Sequence, residues 1–449
     1  NLEIVSKVKD ARQIMAPSPF FANPEKLGLE ALNPDYVPFP WTPVKFANDK
    51  IEVWNRVYDL HGDAFLTQVT TGNEALLEKA ANFSVTLNGK QIPLQFSKPQ
   101  VLSKKDGKLE IDRKIIAPKP LSGSAIYTFE YDGAMFVKLA FDNGTLLEDL
   151  KLDIPYANAS MIHYVGRMEN SLRSVVAPDF SYSKTLSKGD GTVWNGEFHP
   201  CVHLGSLNGG LQYFSESDQY FWPKKRDTIF EVKHNSGKYN LSVNYTVGKM
   251  PLKSAQKIEY RFGLMATPVR PMPANWRSFT ITAQYDSHKG KDRGNILVYW
   301  PDEWVQMDLD PDPTRAQNTE KLKQKIIKDH AENRKIIPYY SRLHLPCAND
   351  KKINPDGAFA RQNWGQDPQR QVGHPTRDWT RCTSTTAWSD YLVWCVANYS
   401  KLFGHVDGFY MDEMEPTPNL DGKTGGGYDD LDGTRRPTYT LMADREMYK

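Results

Sequence analysis

Hydrophobic and polar positions alternate with period two through much of the first 270 residues. "KIEVWNRVYDL" (50–60), "FSVTLNG" (83–89), "GKLEIDRKIIA" (107–117) and "SAIYTFEYDG" (124–133) each place apolar residues at every second position. So do "MFVKLAFDNG" (135–144), "TIFEVKHNSG" (228–237) and "KYNLSVNYTVG" (238–248). Such runs predict half-buried β-strands. Asn-Gly, Asp-Gly and Ser-Gly pairs separate them, and their glycines tolerate the positive φ of tight hairpins. Strand after strand without intervening helices predicts an antiparallel sandwich. Its length, over 200 residues, calls for two large sheets.

After about residue 270 the period changes. "NILVYW" (295–300), "KIIPYY" (335–340) and "VDGFYMDE" (406–413) are short apolar strands. Between the first two lies "TEKLKQKIIKDHAENR" (319–334), with Leu322, Ile326 and Ile327 assigned to one face and Thr319 to the N-cap. A long polar loop then precedes "TSTTAWSDYLVWCVANYSKLF" (383–403), whose apolar residues recur at helical spacing. The final "TYTLMADREMYK" begins a further helix. Alternation of strand and helix predicts parallel βα units. A closed (β/α)8 barrel takes about 250 residues. Residues 271–449 fall short of that, so the pattern fits the first half of a barrel or an open α/β sheet. The acidic strand is the third of these units, or the fourth if "FTITAQY" (279–285) is also a strand.

The expected architecture is therefore multidomain. An N-terminal extension (1–36) continues a preceding segment, a large antiparallel β-sandwich occupies 37–270, and a truncated (β/α)8 barrel occupies 271–449. The start at Asn1 and the end inside a helical pattern suggest a piece of a longer chain, so the remainder of that chain is itself an expected partner.

Charge excludes some functions. Lys and Arg total 56 against 54 Asp and Glu, a net of +2, which leaves no electrostatic footprint for nucleic acid. The longest apolar run, Tyr391–Ala397, is far short of the roughly 18 residues a membrane helix needs. Cys201, Cys347, Cys382 and Cys395 form no CxxC, and no metal or cofactor is expected. Cys395 lies on an apolar helix face. Cys347 and Cys382 both sit in loop-like sequence, where pairing and free thiols are both open. N-x-S/T sequons occur at Asn82, Asn143, Asn158, Asn240, Asn244 and Asn398, a pattern that chance also produces.

"GFYMDEMEPTPN" (408–419) is the strongest chemical signal. It sets Asp412 and Glu413 at the C-terminal end of a parallel strand, with Glu415 two residues on. In a barrel that end carries the active site. Clustered carboxylates repel unless they are used or paired. An acidic loop capping the next helix would read the same way. Tyr410 shares the strand, Trp300 ends the strand at 295–300, and Trp304 follows it. Tyr340 ends the one at 335–340, Arg342 and His344 follow it, and Trp364 and Trp379 lie in the loop beyond. Aromatic faces with carboxylates, Arg and His between them suit a sugar, whose C–H faces stack and whose hydroxyls hydrogen-bond. Each ring alone suits core packing better than ligand contact, and only the coincidence of three strand ends favours a sugar site. "GKTGGGYDDLDG" (422–433) lacks the upstream glycine of a phosphate loop.

"PFPWTPVKFANDKIEVWNRVYDL" (38–60), "LTQVTTGNEALL" (66–77), "GLMATPVRPMPANWR" (263–277), "GFYMDEMEPTPN" and "GTRRPTYTLMADREMYK" (433–449), in this order, resemble bacterial proteins related to glycoside hydrolase family 123. The resemblance implies a large β-sandwich followed by a (β/α)8 barrel. It also implies exo-acting β-N-acetylgalactosaminidase-type activity with an adjacent Asp-Glu pair, which Asp412 and Glu413 match. In that scheme the 2-acetamido oxygen of the sugar attacks the anomeric carbon, Glu413 is general acid then base, and Asp412 orients the acetamido group. A glycan substrate and a secreted, periplasmic or cell-surface location follow. The competing expectation is a non-catalytic carbohydrate-binding or cell-surface protein on the same scaffold.

Overall fold

The computed structural model describes residues 36–441 except 120, 143–146, 166–180, 223–225, 251–256, 284–293, 300–315, 342–343, 346–371, 375–376, 382–404, 413–415, 417, 421 and 423–425. Three antiparallel sheets occupy Lys45–Thr267. A five-stranded meander runs from Lys45–Ala47 to Glu74–Ala75. A ten-stranded sheet is built on Lys108–Ala117, Gly123–Glu130, Ala134–Phe141 and Ile258–Thr267. A six-stranded sheet is built on Asn82–Leu87, Lys151–Tyr156, Phe230–Asn235 and Lys238–Asn244.

The alternation read from the sequence decides which face packs. Ala125, Tyr127 and Phe129 of one strand and Met135, Val137, Leu139 and Phe141 of the next face inward. They meet Phe83, Val85, Leu152, Ile154, Leu241 and Val243 of the six-stranded sheet in one continuous core. Aromatic rings fill its centre. Phe65 meets Phe83 edge-on at 5.0 Å, and Tyr213 stacks on Phe262 at 5.5 Å. Buried tyrosine hydroxyls find partners, as burial demands. Tyr58 donates to the Gly133 carbonyl at 2.6 Å, and Tyr156 donates to that of Leu211 at 3.0 Å. Much of the aromatic content is thus sandwich core.

Two arginines are buried in this half, each against backbone carbonyls. Arg113 donates to Ser97, Ala64 and Gly62 at 2.6–2.7 Å, which fixes the loop at 62–65. Arg56 donates to Ala266 at 3.1 Å and to Val269 at 3.0 Å. Trp41 adds its indole N–H to the Val269 carbonyl at 3.0 Å. The chain leaving the last sandwich strand is therefore held before it enters the second half.

That half contains a four-stranded parallel sheet in sequence order: Ile281–Ala283, Ile296–Tyr299, Lys335–Ser341 and Tyr410–Asp412. "FTITAQY" does supply a strand, so the acidic strand is the fourth. Among the described residues the four strands do not close a barrel, and Ala316–Ala331 is the one α-helix longer than a turn. Thr319 lies inside that helix rather than at its N-cap. Ile326 is buried but Ile327 is 60% exposed, because adjacent helical residues point about 100° apart. The polar loop after Ser341 contains a small antiparallel sheet of His344–Leu345, Val372–His374 and Arg377–Arg381. The expected helix at 383–403, together with Cys347, Cys382 and Cys395, lies outside the described residues.

The C-terminal stretch departs from expectation. Thr438–Tyr439 is a strand paired with Pro418–Asn419, and helical backbone appears only at Leu441, the last described residue. Pro437 disfavours helical geometry at Arg436. Tyr439 is 3% exposed in the sandwich core, and burial there outweighs local propensity. Leu441 then packs with Phe214, Cys201 and Phe136 in a smaller cluster on the ten-stranded sheet.

Candidate active site

The acidic strand is positioned from its base. Val406 is buried, and Asp407 bolts the strand to its neighbour. The Asp407 carboxylate accepts the Ile336 amide at 2.8 Å and His330 Nε2–H at 2.9 Å. Burial alone would raise the Asp407 carboxyl, but these two donors, the amide first, hold it below the ordinary aspartate value. The bolt fixes the register above it. Tyr339 pairs with Tyr410, Tyr340 with Met411 and Ser341 with Asp412. Asp412 is thus the last residue of its strand, level with the last residue of the strand beside it.

This register brings three expected site residues, Tyr340, Tyr410 and Asp412, to one edge of the parallel sheet. Tyr410 and Asp412 share a parity along the strand, and Tyr340 has the opposite one. Tyr410 is 40% exposed. The backbone of His344 pairs with Arg381, and that of Trp379 with Val372, so both belong to the small sheet that follows Ser341. Glu413, Glu415, Trp300, Trp304, Arg342 and Trp364 lie outside the described residues.

Sequence reasoning missed the ionic chain that fixes the segment beyond Asp412. Tyr428–Asp429 and Arg435–Arg436 form a hairpin. Asp430, whose side chain is 1% exposed, accepts from Arg436 of that hairpin and from Arg226 of the sandwich. Arg226 also donates to Asp218, and Asp218 accepts the Tyr428 hydroxyl at 2.5 Å. Burial first, then the Asp218 charge, pushes the Tyr428 phenol far above its usual value, so it stays a donor. Burial would lower the Arg436 guanidinium, but Asp430 outweighs it. The available signal was the run of aspartates followed by two arginines in "YDDLDGTRR" (428–436).

Three sequons are structural. The Asn240 amide donates to Asp153 and Ser242 at 3.0 Å, that of Asn244 to the Thr228 carbonyl at 2.8 Å, and Asn82 accepts the Phe65 amide at 3.3 Å. Cys201 is a buried free thiol that burial pushes up to about 12. Among the described residues no helix is long and apolar enough to cross a membrane.

Residues 44–268, the sandwich, match the family model described as glycoside hydrolase 123, third domain. The chain belongs to the glycoside hydrolase 123 family. The matched part of this glycoside hydrolase 123 protein is its sandwich, and the parallel strands follow the match. No curated protein matches the chain. Solved structures similar to it include a family GH31 sulfoquinovosidase from E. rectale with an aza-sugar inhibitor. The TM-score is 0.33 at 10% identity, covering 87% of this chain and 61% of that one. An α-N-acetylgalactosaminidase from Bifidobacterium bifidum in complex with GalNAc gives 0.32 at 9% identity, covering 90% and 73%. A GalM/aldose epimerase homologue from C. elegans gives 0.27 at 8% identity, covering 50% and 98%. The chain thus spans 61% of the length of the sulfoquinovosidase, and likenesses this weak carry no argument.

Proposed function

We propose that this glycoside hydrolase 123 protein hydrolyses a glycan from its end, at a β-linked 2-acetamido sugar, by substrate-assisted retaining catalysis. The observation that carries this reading is Asp412 at the C-terminal end of a parallel strand, level with Ser341, with Glu413 next in the chain. In this reading the strands from 271 onward are the first half of a (β/α)8 barrel and 37–270 is the sandwich domain. A location outside the cytoplasm, secreted, periplasmic or on the cell surface, suits such a substrate.

The chemistry needs two groups. The acetamido oxygen attacks the anomeric carbon as the glycosidic bond breaks, and Glu413 gives its proton to the leaving oxygen. Asp412 accepts the acetamido N–H and stabilises the positive charge of the resulting oxazolinium ion. Water then adds to the anomeric carbon while Glu413 takes its proton, and the acetamido group is released. The two displacements at one carbon retain its configuration. Tyr410, Tyr340, Trp300, Trp304, Arg342, His344, Trp364, Trp379 and Glu415 supply the stacking and hydroxyl contacts.

Chromogenic β-glycosides with and without the 2-acetamido group test the reading on the full-length protein. Release from the acetamido sugars alone is the expected result. Equal release from 2-hydroxy sugars overturns the assisted mechanism. No release from any glycoside, with retained binding to immobilised glycan, favours the second reading, a non-catalytic carbohydrate-binding protein. That alternative draws on the match falling on the sandwich rather than on the parallel strands.

A further inference from the structure

The chain on either side of residues 413–417 is anchored to a different body. On one side Asp412 is fixed by its pairing with Ser341 in the parallel sheet. On the other side Pro418–Asn419 pairs with Thr438–Tyr439. That second anchor belongs to the sandwich. The Tyr439 amide donates to the Glu216 carbonyl at 2.7 Å, and its ring lies 5.8 Å from Phe198 in the sandwich core. Pro416 and Asn419 are buried.

The ionic chain locks this anchor. Arg226 uses its two terminal nitrogens on two carboxylates, Asp218 of the sandwich and Asp430 of the hairpin. Tyr428 returns from the hairpin to Asp218, so the connection is made twice. A planar guanidinium can bridge two carboxylates in this way, whereas a lysine ammonium is a point charge on a flexible stem. Asp430 is buried and holds two arginines, so removing one leaves a charge poorly compensated away from water.

We infer that Arg226 and Asp430 are positioning residues for Asp412. Through the Pro418–Asn419 strand they hold the end of the acidic strand against the sandwich, which makes the sandwich a working part of the site. The inference rests on the reading of Asp412 and Glu413 as the catalytic pair. Its chemical motive is that misplacing reacting groups by about 1 Å can slow a reaction on the order of 10²-fold.

Arg226→Lys and Asp430→Asn in the full-length protein test it. Hydrogen exchange and steady-state kinetics on an alkyl 2-acetamido-β-glycoside, whose poor leaving group needs the general acid, are measured together. Exchange in peptides spanning 406–420 is expected to rise on the order of 10-fold, with peptides spanning 123–141 unchanged. The kcat is expected to fall at least about 10-fold while KM stays within about two-fold, the pattern of lost transition-state geometry rather than lost binding. Arg226→Lys keeps the charge, so it guards against a variant that merely fails to fold. Unchanged exchange at 406–420, or faster exchange in both regions, overturns the inference. Loosened exchange at 406–420 with wild-type kcat also overturns it, provided Glu413→Gln is inactive. A fully active Glu413→Gln variant overturns the catalytic reading and this inference with it. The exchange data distinguish that outcome from failure of the tether.

Discussion

A glutamate that protonates a leaving oxygen matters most when that oxygen is a poor leaving group. Glu413→Gln is therefore expected to slow turnover of alkyl glycosides by roughly 10²–10⁴-fold and of activated aryl glycosides much less. Asp412→Asn is expected to slow both classes alike, by on the order of 10²-fold, because it acts on the acetamido group rather than on the leaving oxygen. Initial rates across a leaving-group series read the difference, and equal sensitivity of Glu413→Gln to both classes would refute its role as acid. A second residue makes stability depend on pH. Burial first, then the charge of His163, lowers His203 from 6.5 to about 4. Its Nε2 lies 3.1 Å from Thr267 Oγ1, and His163 faces it across the strand pair. The unfolded chain binds this proton more readily, so the contribution of neutral His203 is complete above about 6.5 and is lost as pH falls toward about 4. His203→Gln is expected to shrink the stability difference between pH 7 and pH 4.5 by about 2 kcal/mol, allowing for its partial exposure. Urea titrations at the two pH values measure it, and an undiminished difference would show that other groups carry the acid lability.

Among the elements, the hairpins give a controlled comparison. Asn88 and Gly89 both have positive φ, as a two-residue turn between Asn82–Leu87 and Lys90–Pro93 requires. A Cβ at Gly89 meets nothing within 4 Å, whereas one at Gly133, also at positive φ, falls 2.4 Å from Arg56 Nη1. Gly89→Ala is expected to cost about 1 kcal/mol from backbone strain alone. Gly133→Ala is expected to cost at least about 2 kcal/mol more, because Arg56 must leave the carbonyls it holds. Equal shifts in urea midpoint would mean that Arg56 yields freely. The same elements show what the sequence discloses. Period-two alternation and Asn-Gly or Ser-Gly turns depend on residues adjacent in the chain, so the sandwich strands were legible. Ile281–Ala283 was harder to read because three residues are too few for a period. Tyr439 was misread because its partners, Phe198 and Glu216, lie more than 200 residues away. For the site, the C-terminal end of a parallel strand was legible at Asp412. The Arg226–Asp430 pair was not, since the acids and arginines of 428–436 announce ion pairing without naming a partner 204 residues away.

At the scale of the whole molecule, the returning C-terminal hairpin is joined to the sandwich through Arg226, and the reaction the protein is proposed to carry out has a stereochemical signature. If the acetamido oxygen is the nucleophile, the anomeric carbon is inverted twice. The first sugar released from a β-glycoside must then be the β-anomer, which mutarotates only afterwards. Proton NMR during the first minutes of hydrolysis by the full-length protein is expected to show the β-anomeric signal before the α. A sugar carrying a fused thiazoline ring mimics the cyclised intermediate but resists water. It should compete with substrate and bind at least about 10²-fold more tightly than the free 2-acetamido sugar, as analogues of high-energy species do. Asp412→Asn should weaken that analogue more than it weakens the free sugar, since the charge Asp412 meets develops only on cyclisation. Immediate appearance of the α-anomer would mean a single displacement by water and would exclude the assisted route. Retention without inhibition by the thiazoline would point instead to a carboxylate nucleophile from the protein.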